Sequence, residues 1–295
     1  MPNNKVDIYK KEGQLMVKCE NYKTAIKGQE ADEYPLIPTI DKKNSYQVKT
    51  EDLRQALAQV VFAVSTSESR IELSGVLFHF QPERLVLAAT DSYRLAEKDV
   101  KLKSGQGEEK KIIVPAKTVQ ELLRIISSVR AEEMTEEERE VRIFVTENQV
   151  MFSVDGIELI SRLIEGQYPE YKQIIPQQSE TVCYLERVEL IRAVKAASIF
   201  SKSGINDINL DFPAGKNLVV ITSASSQAGE NVVELAAEMK GKDNGIVLNY
   251  KYLLDGLNNI DSERIKLETI NCNTPCILRP EKASDYLYII MPIKQ

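Results

Sequence analysis

The stretch Val48-Lys49-Thr50-Glu51-Asp52-Leu53-Arg54-Gln55-Ala56-Leu57-Ala58-Gln59-Val60-Val61-Phe62-Ala63 decides the fold, because a counterpart of it returns later in the chain. Val48 and Lys49 close a strand. From Thr50 to about Ala63 the residues Leu53, Leu57, Val60 and Val61 fall at i, i+4, i+7 and i+8, the spacing with which a helix buries one stripe. A second helix, from Glu186 to about Lys202, sets Leu190, Val194 and Ala197 at i, i+4 and i+7. Each helix is followed by two strand-like runs, Val76 to Phe80 and Leu85 to Ala89 in one case, Ile208 to Phe212 and Leu218 to Thr222 in the other. Further on, Ile113-Val114-Pro115 leads into a helix bearing Val119, Leu122, Leu123 and Ile126, and Val247-Leu248-Asn249 leads into one bearing Leu253, Leu254 and Leu257. Pairing Leu53 with Leu190, Leu85 with Leu218 and Leu122 with Leu257 gives an offset near roughly 135 residues, too long for a solenoid unit and right for a whole domain.

The N-terminus repeats the end of such a copy. Val6-Asp7-Ile8-Tyr9 followed by Gly13 to Val17 parallels Val141 to Phe144 followed by Asn148 to Phe152, and Glu33-Tyr34-Pro35 to Pro38 parallels Gln167-Tyr168-Pro169 to Pro176. By the same offset roughly 90 residues of that first copy are missing from its front. Thr39 to Ser45 and Pro176 to Glu180 are polar and proline-edged, and read as linkers, while the acidic run Glu132 to Glu140 reads as a solvated loop. The expected domains are 1–45, the remnant of a first copy, then 46–177 and 178–295.

Composition narrows the chemistry. A chain of 295 residues, 43% of them hydrophobic, can bury a core in each copy. No apolar run approaches the roughly 20 residues of a membrane span, and Met1-Pro2-Asn3-Asn4-Lys5 lacks a signal-peptide core, so no membrane association and a cytoplasmic location are expected. Cys19, Cys183, Cys272 and Cys276 are scattered except for the last pair, which brackets a turn-like Asn273-Thr274-Pro275. With a single histidine, His79, a metal site lacks ligands, and free thiols are expected. His79 lies in an alternating run opposite Phe78 and Phe80, without a nucleophile elbow or a phosphate-binding glycine loop, so no catalytic residue, metal or cofactor is implied. Acid pairs among 44 acidic residues are too common to identify an enzyme. The net charge of −6 argues against a surface that grips DNA all over. It is unevenly spread: residues 50–63, 115–130, 186–202 and 249–260 hold nine basic and six acidic side chains, so the helices carry +3 and everything else −9.

Several motifs resemble those of the bacterial DNA sliding clamp, the beta subunit of DNA polymerase III, over nearly the whole length. Ala89-Thr90-Asp91-Ser92-Tyr93-Arg94-Leu95-Ala96 is similar to the clamp's Ala-Thr-Asp-Gly-His-Arg-Leu-Ala. Ile113 to Lys117, Ser161-Arg162-Leu163-Ile164-Glu165-Gly166-Gln167-Tyr168-Pro169-Glu170-Tyr171 and the terminal Tyr288-Ile289-Ile290-Met291-Pro292-Ile293 match other signatures. Ser92-Tyr93 departs from the usual Gly-His, and the shortened first copy departs from the family's three full domains. The resemblance implies an α+β fold of tandem clamp domains, each with two helices packed on antiparallel sheets. It implies a non-enzymatic processivity factor: a head-to-tail homodimeric ring, if the first domain is complete, around duplex DNA in the bacterial cytoplasm, associated with the nucleoid. Its implied partners are the DNA polymerase III alpha subunit, the clamp loader and other proteins with a clamp-binding motif. The alternative is a truncated clamp-fold module that binds peptides without closing a ring.

The same resemblance implies three sets of residues. A peptide groove between the last two domains would be lined by Leu73, Thr90, Ser92, Tyr93, Arg94, Leu95, Pro169, Ile174, Asn249, Tyr252, Ile289, Met291, Pro292 and Ile293. Apolar and Met-containing linings suit short Leu or Phe anchors, each contributing roughly 1.5–3 kcal/mol when buried. Arg54, Arg70, Lys117, Arg124, Arg187, Arg192 and Lys195 would face DNA, touching phosphates without reading bases. Ile26 on one side, and Ile199 and Phe200 on the other, would meet between subunits.

Overall fold

The computed structural model describes residues 5–29, 32, 40–42, 45–67, 69–105, 109–128 and 140–294. The Glu33 to Pro38 parallel, Thr39, Lys43 and Asn44 of the first linker, Arg130 and residues 132–139 of the acidic run lie outside them. The chain divides into two compact units, Met1–Thr39 and Ile40–Gln295.

The first unit holds a three-stranded antiparallel meander, β1 (Asp7–Lys11), β2 (Gln14–Cys19) and β3 (Tyr22–Lys27). Glu12 and Gly13, both at positive φ (51° and 72°), make the tight turn that lets Lys11 face Gln14. Strands β1 and β3 are exposed throughout, and Ile26 of β3 is 50% exposed.

In the second unit the element order repeats. The first series is β4 (Tyr46–Lys49), α1 (Thr50–Val61), β5 (Gly75–Phe80), β6 (Arg84–Thr90), β7 (Arg94–Lys101), β8 (Ser104–Gly105), β9 (Lys110–Pro115), α2 (Ala116–Ser128), β10 (Glu140–Val145), β11 (Gln149–Val154) and β12 (Ile157–Arg162). The second is β13 (Thr181–Glu186), α3 (Arg187–Ser198), β14 (Asp207–Phe212), β15 (Leu218–Ser225), β16 (Gly229–Ala236), β17 (Glu238–Gly241), β18 (Asn244–Asn249), α4 (Tyr250–Asn259), β19 (Arg264–Thr269), β20 (Cys276–Pro280) and β21 (Tyr286–Ile290). Both run strand, helix, five strands, helix, three strands, which is the tandem repeat expected from the helix stripes and the α+β architecture that the resemblance implies.

Pairing repeats as well. Strand order β12-β11-β10-β4-β8 in the first series matches β21-β20-β19-β13-β17 in the second, and β7-β6-β5-β9 matches β16-β15-β14-β18. The series are joined because β21 pairs with β7, fusing two half-sheets into one sheet of nine strands. All described strand pairs are antiparallel.

The helices bury the stripes their spacing requires: Leu53, Ala56, Leu57 and Val60 in α1, Val119, Leu122, Ile125 and Ile126 in α2, Leu190, Ala193, Val194 and Ala197 in α3, Leu253 and Leu257 in α4. All enter one core that runs through both series. α1 packs on α2 and α3 on α4, and Gln55 Nε2 of α1 donates to Asp261 Oδ2 just past α4 at 3.0 Å, linking the two pairs. Alternate residues of the nine-stranded sheet feed a second apolar cluster of Leu73, Leu77, Ala88, Leu95, Ile113, Tyr168, Tyr171, Ile277, Leu287 and Ile289.

Three expectations are corrected. α1 stops at Val61, and α3 spans Arg187–Ser198, short of the expected ends at Ala63 and Lys202. β7 and β16 went unread because charged residues interrupt their apolar pattern. Ile40, assigned to a polar linker, is buried with Phe144 and Met151.

Candidate functional site

The join between the two series gathers the motif residues. Ile290 stands opposite Arg94 and Ile289 opposite Leu95. Beyond β21 the chain stays pinned, since Met291 N donates to Tyr93 O and Ile293 N to Val247 O, each at 2.8 Å. The terminal segment thus bridges the β6–β7 turn of one series and β18 of the other.

Asp91 shapes that turn. Its Oδ1 accepts from the backbone N–H groups of Tyr93 (2.9 Å) and Arg94 (3.0 Å), and its Oδ2 accepts from Arg94 Nε at 3.0 Å. Ser92 sits at φ 80°, a conformation glycine adopts without strain, and its Oγ accepts from Arg70 Nη1 at 3.0 Å. The remaining Arg94 donors go to Asp255 of α4 and to Phe62 O at the end of α1 (3.0 Å). Its guanidinium lies 5.5 Å from the Phe62 ring centroid and 4.8 Å from that of Tyr252. Tyr252 in turn stacks on Tyr93 at 6.4 Å and 18°, while Phe62 packs on Tyr288 at 5.5 Å. A ladder therefore runs from the buried Tyr288 through Phe62, Arg94 and Tyr252 to Tyr93, which is 63% exposed. Burial pushes the Tyr288 phenol well above its ordinary range, so it stays a neutral donor to Tyr252 O at 2.9 Å.

The expected groove residues divide into a floor and a rim. Leu73, Leu95 and Ile289 are at most 1% exposed and pack into the sheet's second apolar cluster, while Thr90 is buried with its hydroxyl donating to Arg94 O. Ser92, Tyr93 and Ile174 are exposed, and Arg94, Pro169, Asn249, Tyr252, Met291, Pro292 and Ile293 are half-buried. Asn249 also has a local task, because its Oδ1 accepts from Lys251 N and caps α4. At the Ile293 end a hollow of about 620 Å³ is lined by Asn209, Asp211, Gly245, Ile246, Val247, Cys272 and Asn273. None of these residues is in the expected groove set. They come from β14, β18 and the turn before β20, and only the fold brings them together.

The residues expected to face DNA have different surroundings. Arg54, Arg124 and Arg192 each pair with a glutamate three residues earlier on the same helix, Glu51, Glu121 and Glu189. Lys117 and Lys195 are exposed, with no ion-pair partner among the described residues. Arg187 is tied to the backbone, donating to Ser262 O (2.8 Å) and to Leu257 O at the end of α4 (3.1 Å), and Arg70 bonds Glu72 and Ser92 beside the β6–β7 turn. Within the observed helix limits there are seven basic side chains against five acidic ones, a smaller excess than the wider limits gave. Of the expected subunit contacts, Ile199 is 71% exposed just past α3, and the half-buried Phe200 lies beside Gly229 at the start of β16.

Among the described residues no cluster of His, Cys, Asp and Glu could hold a metal, and no helix is long and apolar enough to cross a membrane. Residues 47–170 match the family model of the DNA polymerase III beta subunit central domain, and residues 172–294 match that of its C-terminal domain. The beta sliding clamp of Staphylococcus aureus is 33% identical over 270 residues, which cover 91% of this chain and 69% of that relative. The fold is similar to the DNA polymerase sliding clamp from Bacillus subtilis, with a TM-score of 0.91 and 29% identity over 98% of this chain and 75% of that one. It is also similar to the DNA polymerase III beta chain from Streptococcus pneumoniae, with a TM-score of 0.88 and 27% identity over 98% and 75%. Repeated element order, strand pairing across the join and these matches together mean that the chain belongs to the bacterial DNA polymerase III beta subunit family, the beta sliding clamps.

Proposed function

We propose that this chain is a subunit of a ring that encircles duplex DNA without reading its sequence. At the join between domains 46–177 and 178–295 it carries the DNA polymerase III alpha subunit, the clamp loader and other proteins with a short apolar binding motif. It acts by topology and docking, and none of its side chains makes or breaks a bond.

The pairing of β21 with β7 carries this reading. The last strand of one series joins the free edge of the preceding one. β3, which follows the pattern of a last strand, and β16, which occupies in the second series the place of β7 in the first, both stand at sheet edges. The same join between two chains is head-to-tail and uses two different faces, as a closing ring requires. Ile26 on β3, and Ile199 and Phe200 beside β16, lie at those edges. Strands β1 to β3 supply the last strands of a first domain in this arrangement.

Retention on circular against linear duplex DNA tests encirclement. Protein held on closed circles and lost from linear DNA supports the ring, whereas equal loss from both leaves a peptide-binding module. For the groove, Met291→Ala removes a half-buried side chain and should weaken a labelled peptide ending in Leu-Phe roughly tenfold without unfolding the protein. Unchanged affinity would remove the groove assignment. Ile289 is fully buried and unsuited to this test, because truncating it costs about 2–5 kcal/mol of stability.

A further inference from the structure

β7 carries a carboxylate where its neighbours are apolar. Glu97 is 8% exposed and shares a strand face with Leu95, the face that feeds the second apolar cluster. A buried carboxylate is costly unless cations and donors compensate it, and both of its described partners come from one short helical turn, Tyr171–Ile174. The Tyr171 hydroxyl donates to Glu97 Oε2, and Lys172 Nζ lies 2.5 Å from the same oxygen and 5.4 Å from the Tyr171 ring centroid. Tyr171 is buried edge-on against Tyr168 (6.3 Å, 87°), whose hydroxyl donates to Ala88 O at 3.4 Å. Burial beside Glu97 pushes the Tyr171 phenol far above its ordinary range, which keeps its hydroxyl a donor through neutral pH.

Tyr171 and Lys172 lie between Pro169 and Ile174, two residues expected to line the groove, while Glu97 is two residues from Leu95 in the floor. One carboxylate therefore links this turn to the floor. We propose that Glu97 is a positioning residue for the partner-binding groove: by holding Tyr171 and Lys172 it fixes where the segment from Pro169 to Ile174 stands relative to Leu95 and Ile289, and so sets the affinity for a partner's apolar anchor. This rests on the groove reading above, and Glu97 itself touches no partner.

The test measures binding of the labelled Leu-Phe peptide to the full chain as wild type, Glu97→Gln, Tyr171→Phe and the double variant, with amide hydrogen exchange on each. Glu97→Gln should weaken the peptide roughly tenfold, mainly through faster dissociation, because it removes the charge that Lys172 and Tyr171 bond. Tyr171→Phe should weaken it less, and the double variant should be no weaker than Glu97→Gln alone, as expected when two groups act through one contact. Exchange should quicken over residues 170–175 and stay unchanged in β6 and β7, a pattern that general destabilisation does not give. Tyr171→Phe, which leaves the ion pair intact, serves as the readout if Glu97→Gln does not fold. Wild-type affinity in Glu97→Gln and Tyr171→Phe, or exchange that quickens throughout the sheet, would overturn the proposal, and with Met291→Ala still weakening the peptide it would fall alone. A folded wild type that does not bind the peptide would remove the groove reading and this proposal with it.

Discussion

Arg94 stands directly opposite Ile290 in the antiparallel pair of β7 and β21, and the two residues belong to different copies of the same element order. From this position the Arg94 side chain reaches Asp91 in its own turn, Phe62 O at the end of α1 and Asp255 on α4. It ties both copies together at the point where the terminal segment crosses the β6–β7 turn.

Arg94→Ala should therefore loosen the join. The side chain is 12% exposed, and breaking a well-buried pair costs about 3–5 kcal/mol, but Asp255 is about half exposed and water recovers part of that. A loss of about 2–3 kcal/mol in urea unfolding is expected. Lysine should not restore it, because one ammonium cannot replace a planar fork that bonds three acceptors between two rings. Arg94→Lys at wild-type stability would contradict this.

Gly256 of α4 lies under Tyr288: a Cβ there would come within 2.3 Å of the ring's Cδ1 and Cε1, and Tyr288 is fully buried. In an exposed helix Gly→Ala stabilises by about 1 kcal/mol. Here the clash dominates, since overpacking a core costs about 1–3 kcal/mol. Gly256→Ala should lower stability by about 1–2 kcal/mol in chemical denaturation, and a gain would show that α4 can move away from β21.

Tyr93 is the outer plate of the aromatic ladder, and at 63% exposure it adds little to the core. Tyr93→Ala should leave the melting temperature within about 2 °C of wild type while changing peptide affinity at least roughly threefold. A shift in melting without a change in affinity would make it a structural residue.

Much of the fold was legible in the sequence because the helix stripes at Leu53 and Leu190 satisfy one rule, and the offset between them then orders everything else. β7 was not legible. Its Glu97-Lys98-Asp99 reads as surface, yet Glu97 and Lys98 are 8% exposed, compensated by Tyr171 and Lys172, and by Asp285, respectively. Those partners lie far along the chain, so no local pattern reveals them. The groove was half legible for a similar reason: the resemblance put Leu73, Leu95 and Ile289 in one lining and they share one apolar cluster, but motif letters do not say which side chains are floor and which are rim. Arg187 shows the reverse case, a cation on a helix whose donors are spent on carbonyls in the last turn of another helix and just past it.

The thiols should divide sharply. Cys272 is exposed, whereas Cys19, Cys183 and Cys276 are buried, and burial pushes Cys183 up to about 12 and Cys276 higher still. The reactive species is the thiolate, so at pH 8 the last two should resist a thiol reagent until the protein unfolds. One fast-reacting thiol per chain, abolished by Cys272→Ser, is expected in mass-resolved labelling. Rapid modification of Cys183 in folded protein would contradict its burial.

The helix cations make a division that can be measured. Lys117 and Lys195 are exposed without an ion-pair partner among the described residues, so their charge is free for phosphates, while Arg187 is held by Ser262 O and Leu257 O. Lys117→Glu with Lys195→Glu should weaken binding to duplex DNA and flatten its dependence on salt, each lost phosphate contact reducing the slope of log K against log salt by about 0.9. Stability should hardly change, because neither lysine is buried. Arg187→Ala should do the opposite, costing about 1–3 kcal/mol of stability by stripping donors from two carbonyls, with the salt slope unchanged. Arg54, Arg124 and Arg192 should fall between, since Glu51, Glu121 and Glu189 compete with phosphate for each guanidinium. Replacing those glutamates with glutamine should strengthen DNA binding, and a steeper salt slope in the triple variant would show that the arginines reach the phosphates at all.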